Sequence, residues 1–401
     1  MSTNVLIPTL PSRPVAAATL APVAAAPAAA ANGAKLPVTE DLLIKLKGRV
    51  AIVGNATPFR PFGELIDSYD TVIRINNYQI KGFENLVGTK TDLRCTSGWT
   101  DIERRGHCPE FSPFMREAAE SSNLAKYEAA KGGPIATPRT DIHPLILETP
   151  RPSTGLSLVE LTRQVGLPVD LFCFDGFKSP HYWSREKEPT THSKSEFQAL
   201  LARQNAILFS ETYDYASLYD FCHTNHPAYD DNAGLMLIRF LQRRFSNRKI
   251  IEFGAGNGGL SHFLETHGNR VTAVEISDAA FKKISCAHKI KGDAFTLASL
   301  REHFDVFLSI DVLEHLTEND IRLVLREAGR LANTIFLSVS TRPSGLLGPN
   351  GENLHITVRH IEWWHELVSR YFDIHSVQAG FGTGQVVFEG IARQGYSRQI
   401  P

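Results

Sequence analysis

Between Glu252 and Gly258 the chain reads EFGAGNG, after a β-rich stretch and before an amphipathic one. Glycines at such a turn let the backbone bend sharply and approach a ligand closely. Alone the loop is a weak signal, since a plain turn uses the same residues. Ser153, Thr154 and Gly155 open another helical stretch. A helix N-terminus suits a phosphate or carboxylate; the same pair is an ordinary N-cap, and the two roles can coexist. Asn55 and Asn76 stand at the ends of β-runs, where an amide both donates and accepts. His181 and Tyr182 lie on a long polar loop, and His192 precedes Ser193-Lys194-Ser195-Glu196, an S-x-x-E capping box. His315 stands just past the run FDVFLSID, and His355 and His360 lie beside aromatic bulk further on.

The elements that hold these residues alternate. VAIVG, from Val50, and DTVIRI (70–75) read as buried strands, with a short helix in PFGELIDSY between them. SSNLAKYEAAKGG looks like a helix and its stop, 152–166 is a helix, and VDLFCF (169–174) is a strand. Such alternation argues for a parallel, doubly wound sheet. A polar loop follows, then a helix from Lys194 to Phe209, then an aperiodic aromatic stretch, 210–232, that marks a domain junction. A second alternation begins with the amphipathic GLMLIRFLQRRF. It continues through the strand KIIEF, the helix LSHFLETHG and the strands VTAVEIS, FDVFLSID and TIFLSVS. The expected fold class is α/β, with two doubly wound Rossmann-like domains in tandem over 41–215 and 216–401. Residues 1–40 are an Ala/Pro-rich tail. It reads as disordered rather than as a signal peptide, because it lacks a basic n-region and Pro8, Pro11, Pro14, Pro22 and Pro27 interrupt it.

The second half resembles class I S-adenosylmethionine (SAM) methyltransferases. EFGAGNG is similar to their E/D-x-G-x-G motif, which implies SAM contacts from Glu252, Gly254, Ala255 and Gly256. Glu275 ends the next strand, where a carboxylate can accept bonds from both ribose hydroxyls. Gly292-Asp293-Ala294 resembles the segment that meets adenine, which brings in Asp293 and Ala294. FDVFLSIDVLEHL resembles the fourth-strand motif, whose end, at Asp311, faces the methyl group. The implied reaction is in-line transfer from an activated sulfonium, in which positioning supplies most of the catalysis. An oxygen nucleophile also wants a base. His315 is the leading candidate; the other reading is that Glu314 and His315 only cap the following helix. ENLHITVRHIEWW resembles an acceptor-side region, though His355 and His360 read first as satisfied structural histidines.

The first half resembles the eukaryotic-type sialyltransferases. V-G-N (53–55), Gly63, I-D (66–67), Asp70, R-x-N (74–76), Gly82 and V-G-x-x-T (87–91) are similar to the long sialyl motif. Pro152 to Gly155 with VDLFCFDG resembles the short motif, His181-Tyr182-Trp183 the third, and His192 to Glu196 the very short H-x-x-x-E motif. The resemblance, over about 48–205, implies a CMP-linked acidic sugar as donor. Asn55 and Asn76 would then meet cytosine and ribose. Ser153, Thr154 and Gly155 would meet the phosphate or carboxylate, and His181 and Tyr182 the leaving CMP phosphate. His192 would be the general base, inverting the anomeric centre with no metal needed. Glu196 either caps its helix or orients His192. The cysteine pair of the animal family is missing, its places falling near Val50 and around Val165, which implies packing in place of a disulfide. Sialic acid and Kdo, a related keto-acid sugar, both fit a CMP donor.

The 401 residues are 42% hydrophobic and 21% charged with a net charge of -1, enough apolar mass to fill a core in each domain. Balanced charge opposes nucleic-acid binding by bulk electrostatics and a polybasic membrane surface. No apolar run approaches the ~18–20 residues of a membrane span. Cys95, Cys108, Cys173, Cys222 and Cys286 show neither a disulfide framework nor a zinc pattern, consistent with a reducing, cytoplasmic setting. The expectation is a bifunctional enzyme using a CMP-sugar, a glycan acceptor and SAM, without metal and with no statement on oligomeric state. The alternative is a methyltransferase fused to a non-catalytic glycan- or nucleotide-binding module.

Overall fold

The computed structural model describes residues 37–97, 108–114, 123–131, 134–139, 152–186, 195–210, 213–226, 229, 241, 244–380 and 382–393. Residues 1–36 of the expected tail, His192 and most of the GLMLIRFLQRRF stretch lie outside the described residues.

The first sheet contains β1 (Val50–Val53), β2 (Thr71–Ile75), β3 (Leu93–Cys95), β4 (Glu110–Phe111), β5 (Val169–Phe172) and β6 (Ala206–Phe209). Its order is β4-β3-β2-β1-β5-β6, parallel throughout. The second contains β7 (Lys249–Phe253), β8 (Arg270–Glu275), β9 (His288–Lys291), β10 (Phe304–Ile310), β11 (Ala332–Ser340), β12 (Phe372–Ala379) and β13 (Gln385–Ala392). Its order is β12-β13-β11-β10-β7-β8-β9, with β13 antiparallel to both neighbours and the other pairs parallel. Both sheets are doubly wound. The chain reverses direction across the sheet at the β1/β5 pair and again at the β7/β10 pair, and such switch points open a crevice beyond the carboxyl ends of the strands. The near-continuous apolar runs of β1, β5 and β6 fit strands that are buried on both faces.

One expected element divides. The stretch 194–209 forms a helix only over Ser195–Leu201, and Ala206–Phe209 becomes β6. A four-residue apolar run does not reveal its period, and pairing with β5 decides its state. Asn205 fixes the turn by donating to Thr162 Oγ1 and the Leu167 carbonyl, both at 3.1 Å. The expected junction contains a helix, Tyr215–Asn225, capped by Asp214.

Residues 37–401 form one compact unit. A single apolar cluster takes Phe62, Phe172 and Phe209 from the first sheet's surroundings and Phe295, Leu316 and Ile321 from the second's. The helix Glu318–Leu331 lies between the sheets. Asn319 exchanges two hydrogen bonds with the backbone of Leu208 on β6, at 2.9 and 3.0 Å. Arg322 donates to the carbonyls of Arg203 and Ala206 at 3.0 and 3.1 Å. Arg326 pairs with Asp170 on β5 and with Glu327, and Tyr69 donates to the same Asp170.

Burial alone would raise the Glu327 carboxyl. The guanidiniums of Arg326, Arg330 and Arg49 overcome that and hold it at about 2. A carboxyl depressed in the folded state stabilises above its unfolded value of about 4.3 and loses that contribution as pH falls through the folded value. Thermal melts are therefore expected to lose stability between about pH 5 and pH 2, with Glu327→Gln flattening that limb. An unchanged acid limb in the variant would refute the assignment.

Candidate active sites

A cavity of about 520 Å³ opens beyond β7, β8 and β10, at the second sheet's switch point. All the expected SAM residues line it: Glu252, Gly254, Ala255, Gly256, Glu275, Asp293, Ala294 and Asp311, and so does His315. Gly254 has φ +75°, and a Cβ there would stand 2.4 Å from Val312 Cγ2, so the turn requires glycine. At Gly256 a Cβ would meet nothing nearer than His223 Cε1 at 3.8 Å, so the backbone faces open space that a ligand can fill. Glu275 accepts the N–H groups of Gly256 (2.7 Å), Ile276 (2.9 Å) and Ser277 (2.7 Å). Burial pushes its carboxyl up, while these bonds and His223 pull it back. A carboxylate with about four lone-pair sites has one left for a ribose hydroxyl after these three bonds. Tyr219, also lining the cavity, presents a buried hydroxyl with no hydrogen-bond partner among the described residues. An acidic pocket with a glycine cradle and an unsatisfied hydroxyl fits a cationic nucleoside such as SAM.

The remaining acidic residues carry local duties as well. Glu252 accepts from Ser261 on the helix after the loop, and burial pushes its carboxyl up to about 7. Asp311, at φ +53°, accepts from Ser338 Oγ at 2.7 Å and from Gln385. Asp293 caps the helix Ala294–Ser299 in a capping box with Thr296.

Thr317, not Glu314 or His315, caps the helix Glu318–Leu331, accepting from the Asp320 N–H. Glu314 is fully buried and accepts from the Ser340 N–H at 2.8 Å. His315 is 8% exposed, its Nδ1 is 3.0 Å from the Leu354 carbonyl, and its ring stands edge-on to His355 at 4.7 Å. Burial first, then His355, lowers its pKa to about 3. The imidazole is neutral, and its conjugate acid is too strong to hold a proton near pH 7. His360 is exposed at the start of the helix Ile361–Ser369 and makes no side-chain cap. Sequence reasoning missed Tyr213, Tyr215, Tyr219, His223 and Tyr229 as pocket residues. Their aromatic density without a period was the available signal.

A second cavity, about 370 Å³, lies at the first sheet's switch point. It is lined by Asn55, Asn76, Ser153, Thr154, Gly155 and His181, six of the residues expected to meet the donor. Asn55 donates to the Asn77 carbonyl at 2.9 Å and keeps a buried Oδ1 with no hydrogen-bond partner among the described residues, an acceptor for a ligand donor. Asn76, at φ +50°, donates to Thr154 Oγ1 at 3.2 Å and accepts from Ser97 N–H at 3.0 Å. Ser153 is the N-cap of the helix Thr154–Gln164, which begins at the cavity wall. Tyr182 stands outside the lining: its hydroxyl donates to the Gln79 carbonyl at 2.6 Å and accepts the Gln79 N–H at 3.1 Å, pinning the loop. Glu196 lines the cavity, and its carboxylate accepts the Ser153 N–H at 3.1 and 3.2 Å, so it braces the neighbouring helix start.

Much of the long motif is scaffold. Fully buried Arg74 donates to the carbonyls of Val87 (2.8 Å) and Gly88 (3.1 Å) and to Thr91 Oγ1 (2.9 Å). Asp67 accepts the N–H groups of Thr89 and Lys90, each at 2.8 Å, and Asp70 accepts that of Arg49 at 2.7 Å. Val50 and Val165 belong to one apolar cluster, and Cys95, Cys173, Cys222 and Cys286 are free thiols.

A short strap joins the cavities. Asn55 and Ala56 line the first, while Phe59 and Arg60 line the second. Arg60 forms a two-pronged pair with Asp293, at 3.2 and 2.5 Å. Its side chain is 37% exposed, so the pair is worth little to stability. Arg60→Ala is expected to weaken binding of S-adenosylhomocysteine (SAH), the demethylated product of SAM, by roughly 3- to 10-fold, at a cost of about 1 kcal/mol. Calorimetry showing no change would remove Arg60 from the site.

Residues 45–119 match the family model of glycosyltransferase family 29 (sialyltransferase), and residues 251–334 match that of a methyltransferase domain. The chain thus resembles the sialyltransferase family over 45–119 and a methyltransferase domain over 251–334. A curated mouse protein, CMP-N-acetylneuraminate-beta-1,4-galactoside alpha-2,3-sialyltransferase, is 50% identical over 50 residues, 12% of this chain and 13% of that protein. The human protein of the same name is 48% identical over 50 residues, with the same coverage. The chain therefore matches only about an eighth of these relatives' length. Among solved structures, the PH0226 protein from Pyrococcus horikoshii OT3 is 18% identical at TM-score 0.37, covering 43% of this chain and 98% of that one. Magnesium protoporphyrin IX methyltransferase from Synechocystis PCC 6803 with bound SAH is 18% identical at TM-score 0.34, covering 42% of this chain and 88% of that one. No helix among the described residues is long and apolar enough to cross a membrane.

Proposed function

We propose that the chain is a bifunctional cytoplasmic transferase. It moves an acidic keto-sugar, sialic acid or Kdo, from CMP to a glycan hydroxyl with inversion, and it O-methylates a sugar. The observation that carries this reading is the pair of separate cavities, each at a switch point and each lined by several residues of its own motif set.

In the first site Asn55 and Asn76 hold the nucleoside. Thr154 and Gly155, at a helix start, receive the negative charge that develops on the leaving phosphate. His181 stands on the loop across the cavity. His192 takes the proton from the attacking hydroxyl. In the second site, bound SAM supplies a methyl group on an activated sulfonium. Glu275 and the Gly254–Gly256 turn orient the nucleoside, Asp311 places negative charge near the sulfonium, and the tyrosines of 213–229 exclude water.

The test is a donor screen, CMP-N-acetylneuraminic acid against CMP-Kdo, read by CMP release with and without a glycan acceptor. One donor is expected to release CMP, with a loss of roughly 100-fold or more in His192→Ala. No release from either donor, while SAM still methylates a glycan, would leave the first domain as a binding module.

A further inference from the structure

We propose that Glu314, His315 and His355 form a divalent transition-metal site at the acceptor end of the methyl-donor cavity, and that the ion holds a sugar through two adjacent oxygens. One ligand atom from each residue lies within 4.8 Å of the others. The protein-side bonds leave the ligand atoms uncommitted. His315 Nδ1 is 3.0 Å from the Leu354 carbonyl and His355 Nδ1 is 2.5 Å from the Arg342 carbonyl. Each ring is thereby fixed with Nε2 as the acceptor nitrogen, as metal-ligating histidines are when the other nitrogen donates to a carbonyl. Glu314 is bonded through Oε1 to Ser340 N–H, and its buried Oε2 has no hydrogen-bond partner among the described residues.

Electrostatics favour a cation here. Glu314 is 0% exposed with no cationic partner among its hydrogen bonds or ion pairs in the described residues. Two nitrogens and one carboxylate suit manganese, iron, cobalt or zinc rather than magnesium or calcium, and leave coordination positions open. Of the three residues, His315 lines the cavity, as Asp311 does, and so connects the cluster to it.

The site builds on the methyl-transfer reading and solves its missing base. Neither histidine can take the proton once Nε2 holds the ion. The ion instead lowers the pKa of the hydroxyl it holds, and the proton leaves to water. The oxygen then bonds to the methyl carbon, the carbon–sulfur bond breaks with its pair on sulfur, and the sulfonium charge is discharged.

The test is titration of the full chain with Co²⁺, followed by visible absorption and equilibrium dialysis, with SAH binding measured on the same samples. One equivalent is expected to bind in the wild type and in His288→Ala, an exposed histidine elsewhere. Affinity is expected to fall at least tenfold in His355→Ala and Glu314→Gln while SAH still binds. Equal Co²⁺ binding in wild type and variants, or none in wild type that binds SAH, overturns the metal site alone. Failure of wild type to bind SAH overturns the methyl-transfer reading instead.

Discussion

Glu275→Ala is expected to raise the Kd for SAH by at least about 100-fold while leaving CMP binding unchanged. The carboxylate has two tasks. It receives the N–H groups of Gly256, Ile276 and Ser277 and so holds the glycine turn against the end of β8. It also supplies an acceptor for the ribose. A hydrogen bond to a charged group contributes about 1.5–3 kcal/mol, so losing the ligand bond together with the loosening of the glycine turn accounts for that factor. Glu275→Gln should lie between, because it keeps the shape but sets an amide against backbone donors. A Kd within threefold of wild type in Glu275→Ala would contradict the assignment.

Arg326→Met is expected to cost about 3–5 kcal/mol of stability and to weaken both sites together. Arg326 connects Asp170 on β5 with Glu327, and both carboxylates are at most 4% exposed. Removing the guanidinium leaves two buried negative charges with less compensation. Asp170→Asn in the Arg326→Met background should recover part of the loss by neutralising one of them, a coupling that a double-mutant cycle measures. Chemical denaturation with coincident loss of CMP and SAH binding is the expected outcome. A midpoint shift below about 0.5 kcal/mol, or separate unfolding of the two binding activities, would show that the central helix does not unite the sheets.

The strands around both switch points could be read directly from the chain, because β1, β2, β5, β7, β8, β10 and β11 are short apolar runs ending beside glycine, polar or acidic residues. The cavities were legible for the same reason: residues at strand ends and helix starts are placed by local structure. Contacts made through tertiary packing were not legible. Nothing local says that Tyr182 bonds to Gln79, that Glu196 reaches Ser153, or that the arginines of 318–331 face a second sheet. β12 and β13 were missed because the antiparallel pair closes the sheet's edge far from any motif. The Glu314–His315–His355 cluster needed the fold as well, since its members come from two segments that the Thr357 N–H to Glu314 carbonyl bond brings together, at 2.9 Å.

The central claim is that one chain holds two independent nucleotide-ligand sites. Isothermal titration of one sample with CMP, then SAH, then each in the presence of the other tests it most directly. The account predicts one equivalent of each, with CMP lost in a double variant of Asn55→Ala and Thr154→Ala, and SAH lost in Glu275→Ala. Competition between the two ligands for one site, or loss of both in either variant without unfolding, would contradict it.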